Sequence, residues 1–225
     1  GVDAKYMGKY LGTIGHMGCY SFHETKNFSS GEGGAIIIND ERFIERAEIL
    51  REKGTNRSKF FRGEIDKYTW VDMGSSYLPS DINAAILYNQ FEHMDAITQK
   101  RKEIFEQYYA GLEELEKKGI LRLPIINDFA ETNYHMFYIL LSSEKERDNL
   151  MYNLKEKDIH SVFHYIPLHL SNYSKEMFGI FDLPITEDLS KRLLRLPMYY
   201  SISSEQIYHV VETIKDILEA KNEGC

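Results

Sequence analysis

The chain has 225 residues, with 27 Lys+Arg against 35 Asp+Glu and a formal net charge of −8. That length suggests one large domain or two small ones, and 43% apolar with 28% charged residues is too apolar for a disordered chain. An excess of negative charge argues against nucleic acid or an anionic membrane as the main partner. The longest apolar run, six residues from Met136 to Leu141, falls far short of the ~20 a membrane-spanning helix needs.

Two thiols, Cys19 and Cys225, imply no disulfide framework, and a reducing cytoplasm fits them best. The opening Gly-Val-Asp-Ala-Lys carries no charged-then-apolar leader and reads as if it begins mid-fold. Residues 13–22 alternate loosely and predict a strand running into a loop. After a Gly-rich turn, Ala35–Asn39 holds three consecutive isoleucines, a β-branched run typical of a buried strand. Asp40 is an expected N-cap; Phe43, Ala47 and Leu50 then share a helical face, and Gly54 supplies a left-handed stop. Residues 54–80 show no periodicity and many aromatics, the mark of a functional loop or an interface arm.

Ser80 is placed to cap a long helix from Asp81 to Lys118. Leu87, Phe91, Met94, Ile104, Tyr108, Leu112 and Leu115 step along it by three or four, with a larger gap after Met94. At 1.5 Å per residue it would span ~57 Å, so one helix, or two with a bend near Thr98, is expected to connect two domains. Beyond it Leu121–Pro124 begins a segment, His135–Leu141 is a strand and Ser143–Lys157 a helix capped by Ser143. Ile159–Phe163 is a further strand, and Ser203–Lys221 a helix with Ile207, Val210, Val211, Ile214 and Leu218 on one face. The fold class is α/β, with a boundary inside the 81–118 helix: residues 1–95 form one domain and 96–225 a second α/β domain.

The densest chemistry lies in Ser21-Phe-His-Glu-Thr-Lys26-Asn-Phe-Ser-Ser-Gly-Glu-Gly-Gly34. A lysine at a strand end can bond reversibly to an aldehyde when its amine is deprotonated. A loop hydroxyl can donate to a phosphate, and glycines let backbone approach a flat ring. The competing interpretation is a polar turn between two strands with Lys26 merely solvated.

Ser-Phe-x-x-x-Lys followed by Gly-Glu-Gly-Gly resembles the cofactor-lysine motif of the pyridoxal-phosphate-dependent sugar aminotransferases, the DegT/DnrJ/EryC1/StrS family of fold type I. Collinear runs extend the resemblance: Glu-Lys-Gly-Thr-Asn-Arg-Ser at 52–58, Asp-Lys-Tyr-Thr-Trp at 66–70, Gly-Ser-Ser-Tyr-Leu at 74–78, Phe-His-Tyr-Ile-Pro-Leu-His at 163–169 and Arg-Leu-Leu-Arg-Leu-Pro at 192–197. Within the family these runs are most similar to the dTDP-4-amino-4,6-dideoxygalactose transaminase branch of enterobacterial common antigen synthesis, a branch of lipopolysaccharide-type nucleotide-sugar biosynthesis. The resemblance implies a cytoplasmic homodimer that moves an amino group from L-glutamate to a dTDP-4-keto-6-deoxy sugar. It implies that Lys26 holds pyridoxal 5'-phosphate and shuttles a proton, and that Ser21 binds the phosphate. Ser76 stands where many members have an asparagine that reaches the partner's phosphate, and His164, Tyr165 and His169 match a loop near the nucleotide-sugar. Residues 1–95 then read as the C-terminal part of the large cofactor-binding domain, and 96–225 as the family's small C-terminal α/β domain. An Asp-x-x-Gln motif that pairs with the pyridine nitrogen in the family would fall just before Gly1.

Two rivals stand beside this reading. One is a non-catalytic fragment or association module of such an enzyme. The other is a pyridoxal-phosphate-dependent sugar dehydratase, against which Lys26 argues, because a histidine in its place typifies that branch. No Cys or carboxylate stands at ligand spacing beside His164 and His169, so no metal site is expected. His23 either faces the cofactor or packs in the turn. Arg51, Lys53, Arg57, Lys59 and Arg62 either steer a diphosphate or form a solvated face balanced by Glu48, Glu52 and Glu64.

Overall fold

A computed structural model describes residues 1–222; Cys225 lies outside the described residues. The chain divides into two compact units, Gly1–Ile97 with Asn127–Asn133, and Thr98–Ile126 with the stretch from Tyr134 onward.

The first unit is built from short antiparallel ladders. Strands β1 (Lys5–Tyr6) and β2 (Lys9–Tyr10) form a hairpin, and β1 also pairs with β5 (Ala130–Glu131). Strands β3 (Met17–Ser21) and β4 (Gly34–Ile38) pair from Met17↔Ile38 to Ser21↔Gly34. The isoleucine run therefore forms a strand as expected, but not a buried one: Ile36 is 53% exposed, because β3–β4 is a two-stranded sheet. Asp40 accepts from the Arg42 amide at 3.0 Å and caps a short turn of 3-10 helix that leads into α1 (Ile44–Arg51). The left-handed exit takes two residues rather than one, Lys53 at φ 62° and Gly54 at φ 75°. A Cβ on Gly54 would strike the Asp72 carbonyl oxygen, so glycine is required there.

The stretch expected to be irregular holds a single five-residue helix, α2 (Arg57–Phe61). It is otherwise held by isolated bridges, Glu52↔Ser76 and Thr55↔Trp70. Ser80 accepts from the Asn83 amide and caps α3 (Asp81–Glu92). The long helix then breaks at His93, not near Thr98, and resumes as α4 (Met94–Lys117). The His93 ring Nδ1 lies 2.8 Å from the Asn89 carbonyl, while the His93 amide turns to the Gln90 carbonyl. The side chain thus takes the acceptor that the amide would use in a continuous helix.

The second unit holds a three-stranded antiparallel sheet of order β6 (Tyr138–Leu140), β8 (Leu193–Arg195), β7 (Val162–Phe163). Around it lie α4, α5 (Glu144–Lys155), α6 (Asn172–Phe178), α7 (Pro184–Arg192) and α8 (Ser204–Asn222). Ser143 caps α5 through the Glu146 amide at 3.2 Å, and Pro184 opens α7, where a missing amide costs nothing. One continuous core joins Ile104, Tyr108, Leu112 and Leu115 of α4 to Phe137, Ile139, Leu150, Leu154 and Leu194. Ile207, Val210, Val211, Ile214 and Leu218 of α8 complete it. The expected apolar stripes of α4 and α8 are therefore the ones that pack. In the first unit, Ala4, Phe22 and Phe28 are the buried hydrophobics among the described residues. No helix among the described residues is long and apolar enough to cross a membrane.

Candidate active site

Lys26 sits on the loop between β3 and β4, and that loop is fixed at both shoulders. Phe22 and Phe28, 5% and 1% exposed, put their rings 5.7 and 5.8 Å from that of Phe91 on α3. Gln90, one residue before Phe91, closes a reciprocal pair with Ser29: the Ser29 amide donates to Oε1 at 2.9 Å and Nε2 donates to the Ser29 carbonyl at 2.6 Å. The Ser30 amide reaches the Phe22 carbonyl at 3.0 Å, so the loop closes on itself. On its other side Asn27 donates to the Asn133 carbonyl at 2.7 Å, and Asn133 to the Val2 carbonyl at 2.8 Å. A reactive group carried by such a loop is pre-positioned, because little backbone freedom is left to lose on binding.

Within this frame Lys26 is exposed, and its ammonium makes no ion pair or hydrogen bond among the described residues. The Lys26 amide donates to the His23 carbonyl at 2.9 Å, and the His23 amide lies 3.4 Å from the Ser21 hydroxyl. One backbone turn therefore carries Ser21, His23 and Lys26. The His23 ring is occupied within it: Nδ1 accepts from the Thr25 amide at 3.3 Å, and Nε2 lies 3.6 Å from Glu32. His23 thus packs in the turn.

An unpaired primary amine with a hydroxyl one turn away fits a carbonyl compound that carries a phosphate. The amine adds reversibly to the carbonyl and the hydroxyl donates to the phosphate. The residues present therefore fit the cofactor implied by the sequence motif. Ser76 lies elsewhere in the unit, lining a cavity of about 150 Å³ with Arg51, Lys53 and Arg57. Gln90, Phe91, Asn27 and Asn133, which hold the Lys26 loop, were not singled out from sequence. Phe91 was visible only as an apolar helix position, and nothing in the sequence marks Gln90.

The remaining candidates belong to the second unit. Tyr165 is 74% exposed, with its ring 5.2 Å from that of His164. His169 Nε2 lies 3.0 Å from Glu187 Oε1, and this contact is the main cause holding the Glu187 carboxyl below its usual range. His164 Nδ1 is buried without a hydrogen-bond partner. Burial first, and the Arg195 charge second, hold its imidazole below the ordinary value of 6.5. The neutral ring is thus the folded form, and its contribution to stability is full above that value and is lost as pH falls through the lowered one. Replacing Arg195 by Gln is expected to raise the His164 titration midpoint only part of the way, since burial remains. Histidine-resolved NMR titration checks this, and an unchanged midpoint would contradict it.

Comparison with known proteins reaches the same family by another route. The family model described as the DegT/DnrJ/EryC1/StrS aminotransferase family matches residues 1–215. The chain is 30% identical over 227 residues to GDP-perosamine synthase of Escherichia coli O157:H7, covering 97% of the chain and 56% of that protein. Its fold is that of the aminotransferase TlmJ from Streptoalloteichus hindustanus, with a TM-score of 0.85 at 24% identity over 97% of this chain and 56% of that one. Helicobacter pylori PseC, an aminotransferase involved in the biosynthesis of pseudoaminic acid, matches with a TM-score of 0.84 at 20% identity over 96% and 57%. The chain thus spans somewhat more than half the length of these relatives.

Proposed function

The chain belongs to the DegT/DnrJ/EryC1/StrS aminotransferase family, and we propose that it serves a pyridoxal-phosphate-dependent transfer of an amino group to a nucleotide-linked keto sugar. The donor is L-glutamate, and the acceptor is a dTDP-4-keto-6-deoxy sugar, as in the formation of dTDP-4-amino-4,6-dideoxygalactose. The observation that carries the reading is the unpaired Lys26 amine on a loop fixed by Phe22, Phe28 and Gln90. When bound, pyridoxal phosphate supplies an electrophilic aldehyde and a sink for the electron pair left as a substrate carbon loses its proton. Lys26 Nζ would hold the group and, when free, would accept the proton from the donor's α-carbon. In the second half it delivers a proton to the sugar carbon that receives the amine. Ser21 Oγ donates to the phosphate. Glutamate leaves as 2-oxoglutarate.

His164, Tyr165 and His169 are assigned to the nucleotide-sugar in this reading. His169 Nε2 lies 3.0 Å from Glu187 Oε1, a contact that fixes the orientation of the ring. We assign residues 1–95 to the cofactor-binding domain and 96–225 to the smaller domain. The active form is a cytoplasmic homodimer in which Ser76 serves the partner's cofactor phosphate.

The test is chemical trapping. Incubation with pyridoxal phosphate, borohydride reduction and peptide mass spectrometry should place the covalent adduct on Lys26. An adduct confined to other lysines, or none, would sink the reading.

A further inference from the structure

One flank of α4 carries a chemistry that amino transfer does not use. Phe105, Tyr109 and Glu113 step along it by four, and Glu106 and Ala110 form the neighbouring row, so all five lie on one side of the helix. With Ile126 and Tyr134 they line a cavity of about 290 Å³, at the small end of the range for ligand sites. Every lining residue belongs to the second unit.

Three features make this cavity a site rather than a seam between side chains. Its walls are aromatic and set at two inclinations: the Phe105 ring lies 6.4 Å from that of Tyr109 at 23°, and 5.4 Å from that of Tyr134 at 64°. Tyr109 and Tyr134 are half-buried and pack against the core, which holds both rings in place. Tyr134 reaches its position at a backbone cost. It occupies the left-handed region at φ 50°, an outlier for an aromatic residue, and the buried Arg101 secures it by donating from Nε to the Tyr134 carbonyl at 3.0 Å. Strain of this kind persists only where the surroundings impose it, and it collects at ligand sites. The last feature is charge. The lining holds two carboxylates, Glu106 and Glu113, and no lysine or arginine. Lys102 lies 3.7 Å from Glu106 Oε1 and Lys117 2.8 Å from Glu113 Oε2, exposed pairs of a kind worth little. The second oxygen of each carboxylate has no partner among the described residues.

From this arrangement we infer that the cavity binds a small molecule through an alkylated ammonium group. Aromatic rings attract a cation through their quadrupole, and the two carboxylates add to that attraction. A primary ammonium carries three donors that ring faces satisfy poorly, whereas methyl groups on the nitrogen suit the aromatic walls and Ile126. The same carboxylates repel a nucleotide diphosphate, so the inference stands apart from the amino-transfer reading.

NMR titration of the intact chain with choline, ethanolammonium and 3,3-dimethyl-1-butanol tests the site, because the three separate charge from shape. The alcohol keeps choline's branched outline without its charge, and ethanolammonium keeps the charge without the methyl groups. Choline should bind saturably and about fivefold or more tighter than either, with an affinity that falls as salt is added. The double variant Glu106→Gln/Glu113→Gln should weaken choline about tenfold and leave the alcohol unaffected. Tyr109→Leu, which keeps apolar bulk but removes the ring, should weaken choline about fivefold. If that variant disturbs the core, the glutamate pair still decides, because both side chains are exposed. Tyr208→Leu, at a ring 65% exposed and outside the cavity lining, should bind choline as the parent does, and so should Lys26→Ala. Choline binding that does not saturate, that is matched by the alcohol or by ethanolammonium, or that is insensitive to the glutamate pair overturns the inference. An equal loss in Tyr208→Leu or Lys26→Ala overturns it too, since choline would then be bound elsewhere.

Discussion

Substitution of Lys26 by alanine is expected to lower amino transfer at least ~10³-fold while leaving the melting temperature unchanged. General acid–base work by one side chain is worth ~10²–10⁴ in rate, and the same side chain must also provide the covalent anchor, so the two losses fall on one residue. Stability should not follow, because the Lys26 side chain is exposed and has no ion pair or hydrogen bond among the described residues. Surface changes of that kind usually stay within ~0.5 kcal/mol. Lys26→Arg should fail almost as badly, since a guanidinium stays protonated and neither adds to an aldehyde nor accepts a proton. Steady-state assay with glutamate and a dTDP-keto sugar, run beside a thermal melt, checks both halves. Activity within tenfold of the unsubstituted protein would exclude Lys26 as proton carrier, and a large drop in melting temperature would show that its role is structural.

What could be read from sequence divides along the line between local and non-local causes. Capping by Asp40, Ser80 and Ser143 was legible, because each cap depends on an oxygen and an amide two or three residues away. The stripes of α4 and α8 were legible because their period is that of the helix itself. The strand expected over His135–Leu141 shrinks to β6, Tyr138–Leu140, for a reason no window could show. Arg101 of α4 donates to the Tyr134 carbonyl at 3.0 Å and the His135 carbonyl at 2.5 Å, so a guanidinium takes acceptors that a ladder would have used. Two-residue strands such as β1, β2 and β5 have no period to detect; β1 and β2 pair only as a short hairpin, and β5 exists only through its pairing with β1, Lys5 to Glu131, 126 positions apart. At the site, Lys26 and Ser21 were marked by the resemblance of their motif; residue type and spacing alone left a polar turn with a solvated lysine equally open. Their supports were not marked at all, because Gln90 reaches Ser29 across 61 positions.

Replacing Phe137 by alanine is expected to give the largest loss of stability, about 3–5 kcal/mol. The ring is wholly buried, with centroids 4.9 Å from Phe105 and 5.2 Å from Tyr108, so truncation removes two aromatic contacts together with its share of buried area. Collapse around the gap is limited on both sides. Tyr108 is anchored by its hydroxyl, which donates to the Pro197 carbonyl at 2.8 Å, and the Phe137 carbonyl accepts from the Leu196 amide at 3.0 Å. A fixed neighbour and a fixed backbone leave a cavity rather than a repacked core, which puts the cost toward the upper end of the range. For a chain of this size each kcal/mol lowers the midpoint by ~2–4 °C, so the transition belonging to the second unit should move down by roughly 6–20 °C. Ile180→Ala serves as the comparison, because Ile180 is 87% exposed and its truncation should cost less than ~0.5 kcal/mol. Calorimetry rather than a single optical probe is the right measurement, because two compact units need not melt as one. A Phe137→Ala transition within 2 °C of the parent, at ~1 kcal/mol or less, would mean that the core around α4 relaxes freely, and the anchoring of Tyr108 on Pro197 would then carry no energetic weight.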